Sequence, residues 1–157
     1  MVKALRVDER LIHGQVAMAW TRDLGIQGIM VADDEAASNE MQKMTLKMTV
    51  PDGIKCIIKT VPEIIALLNN PRSEGMRILV LVKTVKNALE VYKAVPGIEY
   101  VNIGNAGRFT SGDGTERTII SRSVSLTPDE VEALKELAAL APDTALQMVP
   151  SDEKKLV

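Results

Sequence analysis

The sequence predicts an α/β fold: a doubly wound, mainly parallel sheet with helices on both faces and an antiparallel edge. Three observations carry that expectation. Short apolar runs alternate with longer amphipathic segments along the chain. Gly, Pro and capping residues punctuate many of the junctions between them. Polar residues gather just after the apolar runs, where a parallel sheet presents its carboxyl edge.

Residues 4–7 read as the first strand. Residues 15–24 read as a helix closed by Gly25, with Val16, Trp20 and Leu24 on one stripe. A second strand over 28–32 precedes one helical segment over 35–48. Pro51-Asp52-Gly53 then turns the chain into a strand over 54–58. Thr60 opens a helix to Leu68, and Glu63 three residues on completes a capping box. The run over 78–82 is the most strand-like of all and is followed by a helix over 85–94. Residues 100–103 form the next strand. Residues 118–125 are extended and partly polar, as an edge strand is. Thr127-Pro128-Asp129-Glu130 is a second capping box, with Pro at the first helical position, opening a helix to Leu140. A last short strand covers 145–149.

The length of 157 residues fits a single domain, residues 1–157, with room for a sizeable core. Only 3% of residues are aromatic, so that core is aliphatic. A formal net charge of -2 gives no footprint for nucleic acid. The first residues hold no apolar stretch that reads as a signal peptide, and the longest purely apolar run falls far short of a membrane span. The expected setting is the cytoplasm, with any membrane role exercised by docking on another chain. One histidine, His13, and one cysteine, Cys56, exclude an internal disulfide and a zinc site of N and S ligands. No metal or cofactor is expected.

The chemistry concentrates in Arg6-Val7-Asp8-Glu9-Arg10-Leu11-Ile12-His13-Gly14-Gln15-Val16. A strand ends, a polar loop follows, and a helix begins near Gly14. Free N–H groups at a helix start favour a bound anion, and the helix dipole adds to the effect. Gly14 lets a tetrahedral oxyanion approach the backbone. Arg10 can fork two phosphate oxygens, and Asp8 can orient the imidazole or hold Arg10 in place. A neutral imidazole supplies the lone pair that phosphoryl transfer needs, and the rest of the work is positioning and charge neutralisation. The candidate site is therefore His13, Arg10 and Asp8, with Gly14, Lys83 and Asn105 as further phosphate-binding candidates on the same edge.

This segment, with Trp20 following it, resembles the active-site signature of enzyme IIB of the mannose/fructose/sorbose class of the phosphoenolpyruvate-dependent sugar phosphotransferase system. The resemblance continues through Val31-Ala32-Asp33-Asp34-Glu35, Asn102-Ile103-Gly104 and Gln147-Met148-Val149-Pro150, and so spans essentially the whole chain. It implies a phosphocarrier that receives a phosphoryl group from enzyme IIA on His13 and passes it to a sugar at the membrane components IIC and IID. Such a protein is a protein-N(pi)-phosphohistidine–sugar phosphotransferase, cytoplasmic and peripherally associated with its transporter. The resemblance also implies that Arg10 binds the phosphate and that Asp8 supports it. Self-association is left open. The chain departs from the family pattern after 100–103, where it reads Asn105-Ala106-Gly107-Arg108 and then Ser111-Gly112-Asp113-Gly114.

Blander roles compete at several positions. Asp33-Asp34 reads equally well as a helix cap, and Gln15 as first-turn filling. Met41, Met44 and Met48 form a helical stripe whose default is core packing, although methionine surfaces adapt to partners. Cys56 reads as a small buried hydrophobe. Two other functions fit the same fold class. One is a phospho-aspartate receiver, although its acids would follow the first strand and its phospho-accepting Asp the third. The other is a sugar or anion sensor that forms no phosphoprotein.

Overall fold

The computed structural model describes residues 1–107 and 116–157. A seven-stranded sheet runs in the order β3-β2-β4-β1-β5-β8-β9. Its members are β1 (Val2–Asp8), β2 (Gly28–Ala32), β3 (Lys55–Lys59), β4 (Ile78–Val82), β5 (Val101–Asn105), β8 (Ala145–Leu146) and β9 (Lys155–Leu156). All neighbours pair in parallel except β8 and β9. The doubly wound fold and its antiparallel edge are as expected. The edge, however, is made by 155–156, and the expected strand over 118–125 instead forms a separate antiparallel hairpin, β6 (Thr118–Ser121) with β7 (Val124–Leu126).

Helices α1 (Gly14–Leu24), α2 (Asp34–Ser38) and α3 (Glu40–Met48) cover one face, and α4 (Val61–Leu68), α5 (Val85–Ala94) and α6 (Pro128–Leu140) cover the other. The alternation of β4 separates the two cores. Ile78, Val80 and Val82 pack with α4, α5 and α6, whereas Leu79 and Leu81 pack with Trp20 and Ala36. Nearly every strand residue of β1, β2, β4 and β5 is buried; β2 and β4 are continuously apolar for that reason, whereas β1 and β5 bury the polar Arg6, Asp8, Asn102 and Asn105.

Several expectations need correction. The helix over 35–48 is broken at Asn39, whose extended backbone ends α2 and whose side chain accepts from the Gln42 amide to start α3. Met41, Met44 and Met48 are 79%, 65% and 81% exposed, because α3 buries only Leu46. Cys56 is half-buried, since β3 is an edge strand. Its burial still pushes the thiol pKa up. The strand over 145–149 stops at Leu146, because side chains of the first strand and first helix take the carbonyls that follow. The second capping box is half made. Thr127 accepts from the Glu130 amide, but the Glu130 carboxylate accepts from Val85 at the start of α5. The box at Thr60 and Glu63 is complete.

Candidate active site

The chain leaves β1 at the middle of the sheet and turns back over its own end before entering α1. Leu11, in the left-handed region with φ 60, makes that turn and donates its amide to the Asp8 carbonyl at 2.8 Å. A non-glycine residue held there carries strain of about 1–3 kcal/mol. Burial of Leu11 and Ile12 in the core beneath the loop offsets it. Two buried side chains thus staple a loop whose polar residues face the edge.

His13 is the N-cap of α1, with extended backbone (φ -121, ψ 116) and an exposed side chain that caps nothing. Its carbonyl accepts from Ala17 at 2.7 Å, so the helix starts properly. The amides of Gly14, Gln15 and Val16 have no acceptor among the described residues, and the first turn holds no acid. That leaves a helix start with donors and dipole unopposed. A Cβ at Gly14 would meet nothing within 4 Å, so packing does not require glycine there. Its bare Cα keeps the approach to the first amides open.

Asp8 is fully buried and both its oxygens are taken by arginines. Oδ1 accepts from the Arg10 amide at 3.0 Å and from Arg10 Nε at 3.1 Å. Oδ2 accepts from Arg10 Nη2 at 3.1 Å and Arg6 Nη2 at 3.2 Å. Of the two tasks open to Asp8, the geometry gives it the arginine and not the imidazole. The carboxylate occupies the Nε–Nη2 edge of Arg10 in the fork geometry. Arg10 Nη1 has no partner among the described residues, and Nη2 also lies 3.5 Å from the weakly accepting Met148 Sδ. The outer end of the guanidinium therefore keeps its capacity for a stronger anion.

Below this layer lies Arg6, the first residue of the motif, to which the sequence alone assigns no role. It is only 2% exposed, under the Trp20 ring at 5.4 Å to the centroid. Nη1 donates to Asn102 Oδ1 and, at 3.0 Å, to the Gln147 carbonyl. Burial pushes its pKa down from the ordinary arginine value, and Asp8 opposes that shift. Trp20 Nε1 donates to the Met148 carbonyl at 3.0 Å, which fixes the 147–150 segment against the site. The charged groups Arg6, Asp8 and Arg10 sum to one positive charge at the edge where α1 begins.

The remaining candidates fall elsewhere or behave differently. Asn105 sits opposite Asp8 in the sheet register, is 2% exposed, and its Oδ1 has no hydrogen-bond partner among the described residues. Lys83 is paired with Glu35 at 3.7 Å and lines a cavity of about 250 Å³ with Thr84, Glu9 and Glu130. Among the described residues no hydrogen bond or ion pair joins it to His13 or Arg10. Asp33 caps α2 by accepting from Ala36, and Asp34 accepts from Val61 at 2.9 Å, so both acids serve helix starts. Arg108 and the glycine-rich 111–114 lie outside the described residues. Among the described residues no group of His, Cys, Asp and Glu side chains could hold a metal. None of their helices is long and apolar enough to cross a membrane.

Comparison with known proteins gives a consistent result. The family described as PTS system sorbose subfamily IIB component matches residues 2–157. The chain is 45% identical over 155 residues to a "Probable phosphotransferase enzyme IIB component" of Streptococcus pyogenes serotype M6, covering 98% of this chain and 95% of that one. It is 33% identical over 152 residues to the sorbose-specific EIIB component of Lacticaseibacillus casei, covering 97% and 90%. The solved IIBSor domain of the sorbose permease from Klebsiella pneumoniae matches with a TM-score of 0.88 at 25% identity, covering 99% of this chain and 92% of that one.

Proposed function

The chain belongs to the sorbose subfamily of phosphotransferase-system IIB components, and on that premise we propose that it carries a phosphoryl group on His13. The donor is a phosphorylated IIA partner, and the acceptor is a sugar presented by the IIC and IID membrane components. The chain works at the cytoplasmic membrane face through those partners. The observation that carries the reading is the position of the single histidine. His13 is exposed at an uncapped helix start, three residues on from Arg10, whose cluster with Asp8 and Arg6 carries one net positive charge.

The chemistry follows from that geometry. A ring nitrogen of neutral His13 attacks the phosphorus of the donor in line. A new N–P bond forms as the donor's bond to phosphorus breaks, and the electron pair stays on the departing group. The other ring nitrogen of His13 keeps its proton throughout. The phosphoryl oxygens lie against the α1 amides, open at Gly14, and against the outer end of Arg10. In the second step a sugar hydroxyl oxygen attacks the same phosphorus, the N–P bond breaks with its electron pair returning to the His13 ring nitrogen, and the hydroxyl proton passes to water. Cys56 is a poor rival acceptor, because it is half-buried on β3 with a raised pKa. The receiver reading loses its support, since Asp33 and Asp34 are engaged by backbone amides.

The test is intact-mass analysis after incubation with a phosphorylated IIA domain. Wild type gains one phosphoryl group that acid removes and base does not. His13→Ala melts at the wild-type temperature, since its side chain caps nothing, and gains none. A phospho-adduct on His13→Ala would end the proposal, and no adduct on wild type would favour a non-catalytic sensor.

A further inference from the structure

The sequence motif and the proposed mechanism both leave Arg6 without a task, yet it is among the largest fully buried side chains of the described residues. A buried guanidinium is expensive to desolvate, and an apolar side chain of similar volume would fill the same space without that cost. A cation so placed makes sense where its charge or geometry is used. Every donor direction of Arg6 that has a partner points to one structure. Nη1 is anchored on Asn102 and the Gln147 carbonyl, and Nη2 faces Asp8 Oδ2 at 3.2 Å. The same Asp8 oxygen accepts from Arg10 Nη2 at 3.1 Å. The Met148 thioether lies 3.6 Å from Arg6 Nη2 and 3.5 Å from Arg10 Nη2, so it spans the two guanidiniums.

The backbone is shaped to admit this arrangement. Between Val7 and Asp8 the register with β5 shifts, so that Val7 faces Ile103 and Asp8 faces Asn105. The skipped residue is Gly104, and a Cβ there would overlap Nη1, Nη2 and Cζ of Arg6. The glycine thus clears the space that the guanidinium occupies, with its Cζ 5.4 Å from the centroid of the Trp20 ring.

We propose that Arg6 is a positioning residue for phosphoryl transfer, fixing the plane of the Asp8 carboxylate and through it the direction in which Arg10 presents its outer N–H groups. This inference rests on the reading of Arg10 as the phosphate-binding residue. Arg6 itself stays buried and touches no phosphoryl oxygen. Its part is to keep the Asp8 carboxylate from rotating, so that Arg10 is held by two bonds on one edge and leaves the other edge free. A lysine in its place keeps the charge but has no planar fork to hold Asp8 and Asn102 together.

Phosphoryl transfer from a phosphorylated IIA domain, resolved into kcat and KM for that donor, tests the idea with three variants. Arg6→Lys tests the fork at constant charge. Gly104→Ala displaces the guanidinium while leaving every polar group of the cluster in the chain. Arg10→Ala is the reference. The expected result is a fall in kcat of roughly ten- to a hundredfold for Arg6→Lys and Gly104→Ala, of the size a small misplacement causes, with KM within about twofold of wild type by the same positional argument. A merely structural role would lower melting temperature and leave kcat of the folded protein at the wild-type value, which would overturn the inference. If Arg10→Ala also transfers at the wild-type rate, the failure belongs to the reading of Arg10. Should neither Arg6 nor Gly104 variant fold, wild type still decides. Arg10 Nε–H must exchange slowly with solvent, as a hydrogen bond held from beneath requires, and fast exchange there would overturn the proposal.

Discussion

Replacing Asp8 by Asn keeps the shape of the side chain and removes the one carboxylate within ion-pairing distance of Arg6 and Arg10 among the described residues. The perturbation is severe for two reasons. Arg6, 2% exposed, is left charged in a low-dielectric site with only neutral acceptors, Asn102 and the Gln147 carbonyl. The new amide nitrogen also presents hydrogens to guanidinium donors wherever an oxygen stood before. Removing one partner of a buried ion pair costs about 3–5 kcal/mol. For a chain of this size each kcal/mol shifts the melting temperature by about 2–4 °C, so the expected fall is roughly 6–20 °C. Thermal melting followed by circular dichroism measures it. Sulfate should narrow the gap by supplying an anion to Arg10, the partly exposed one of the two arginines, whereas chloride at equal ionic strength should do so less. An Arg6→Met change on top of Asp8→Asn should restore part of the lost stability, because it removes the stranded charge. A melting temperature for Asp8→Asn within about 2 °C of wild type would refute the view that this carboxylate compensates buried charge.

Three further outcomes are expected. Gly107→Ala should destabilise by at least about 1–2 kcal/mol from its left-handed backbone alone, because its φ is 77 and its Cβ would overlap the Ser125 carbonyl of the hairpin; urea unfolding measures the loss. Glu130→Gln should raise stability at neutral pH and leave it unchanged in acid. Burial raises the folded pKa of Glu130, so its neutral form is favoured on folding, and that benefit is lost as pH rises through the folded value; melting curves across pH check the sign. Phosphorylated protein should carry the group on Nδ1 of His13, the nitrogen nearer the backbone and so nearer the uncapped amides of Gly14, Gln15 and Val16. Nitrogen-15 shifts distinguish the isomers, and phosphorus on Nε2 would remove the amides from the account.

What the sequence made legible is what local chemistry decides. Gly25 ends α1 in the left-handed conformation, and Thr60 with Glu63 caps α4, because each feature is complete within a few residues. The same rule misjudged Glu130, whose carboxylate finds the Val85 amide 45 residues away in sequence. Asn39 reads as an ordinary helical residue until its side chain is seen to restart the helix. The methionine stripe has helical spacing, but spacing does not say which side of α3 meets the core, and Leu46 alone does. The site divides in the same way. His13, Arg10 and Asp8 lie within one turn of chain and could be read together. Arg6 could not, since its anchors Asn102 and Gln147 are 96 and 141 residues distant. The glycine that admits it, Gly104, signals nothing without the strand beside it.

The charge balance bears on why such a site suits a carrier. A phosphoryl group that must be handed on cannot be bound as tightly as a transition-state analogue is, since every contact made in the ground state has to be given up in the next transfer. Two free arginines and an open helix start would hold the dianion strongly. In the proposed carrier Asp8 would prevent that, since it takes one edge of Arg10 and the inner donor of Arg6 and leaves one net positive charge and one outer guanidinium end for the phosphoryl oxygens. The α1 amides supply the rest without a mobile side chain, so their arrangement is the same before and after transfer. His13 itself is exposed and its side chain is bonded to nothing among the described residues, so on the proposed mechanism it would meet a donor on one protein and an acceptor at another without first breaking a contact with them. On the proposed mechanism, rigid charge beneath and an unencumbered imidazole above are the two properties that would let a single histidine receive and release the same group.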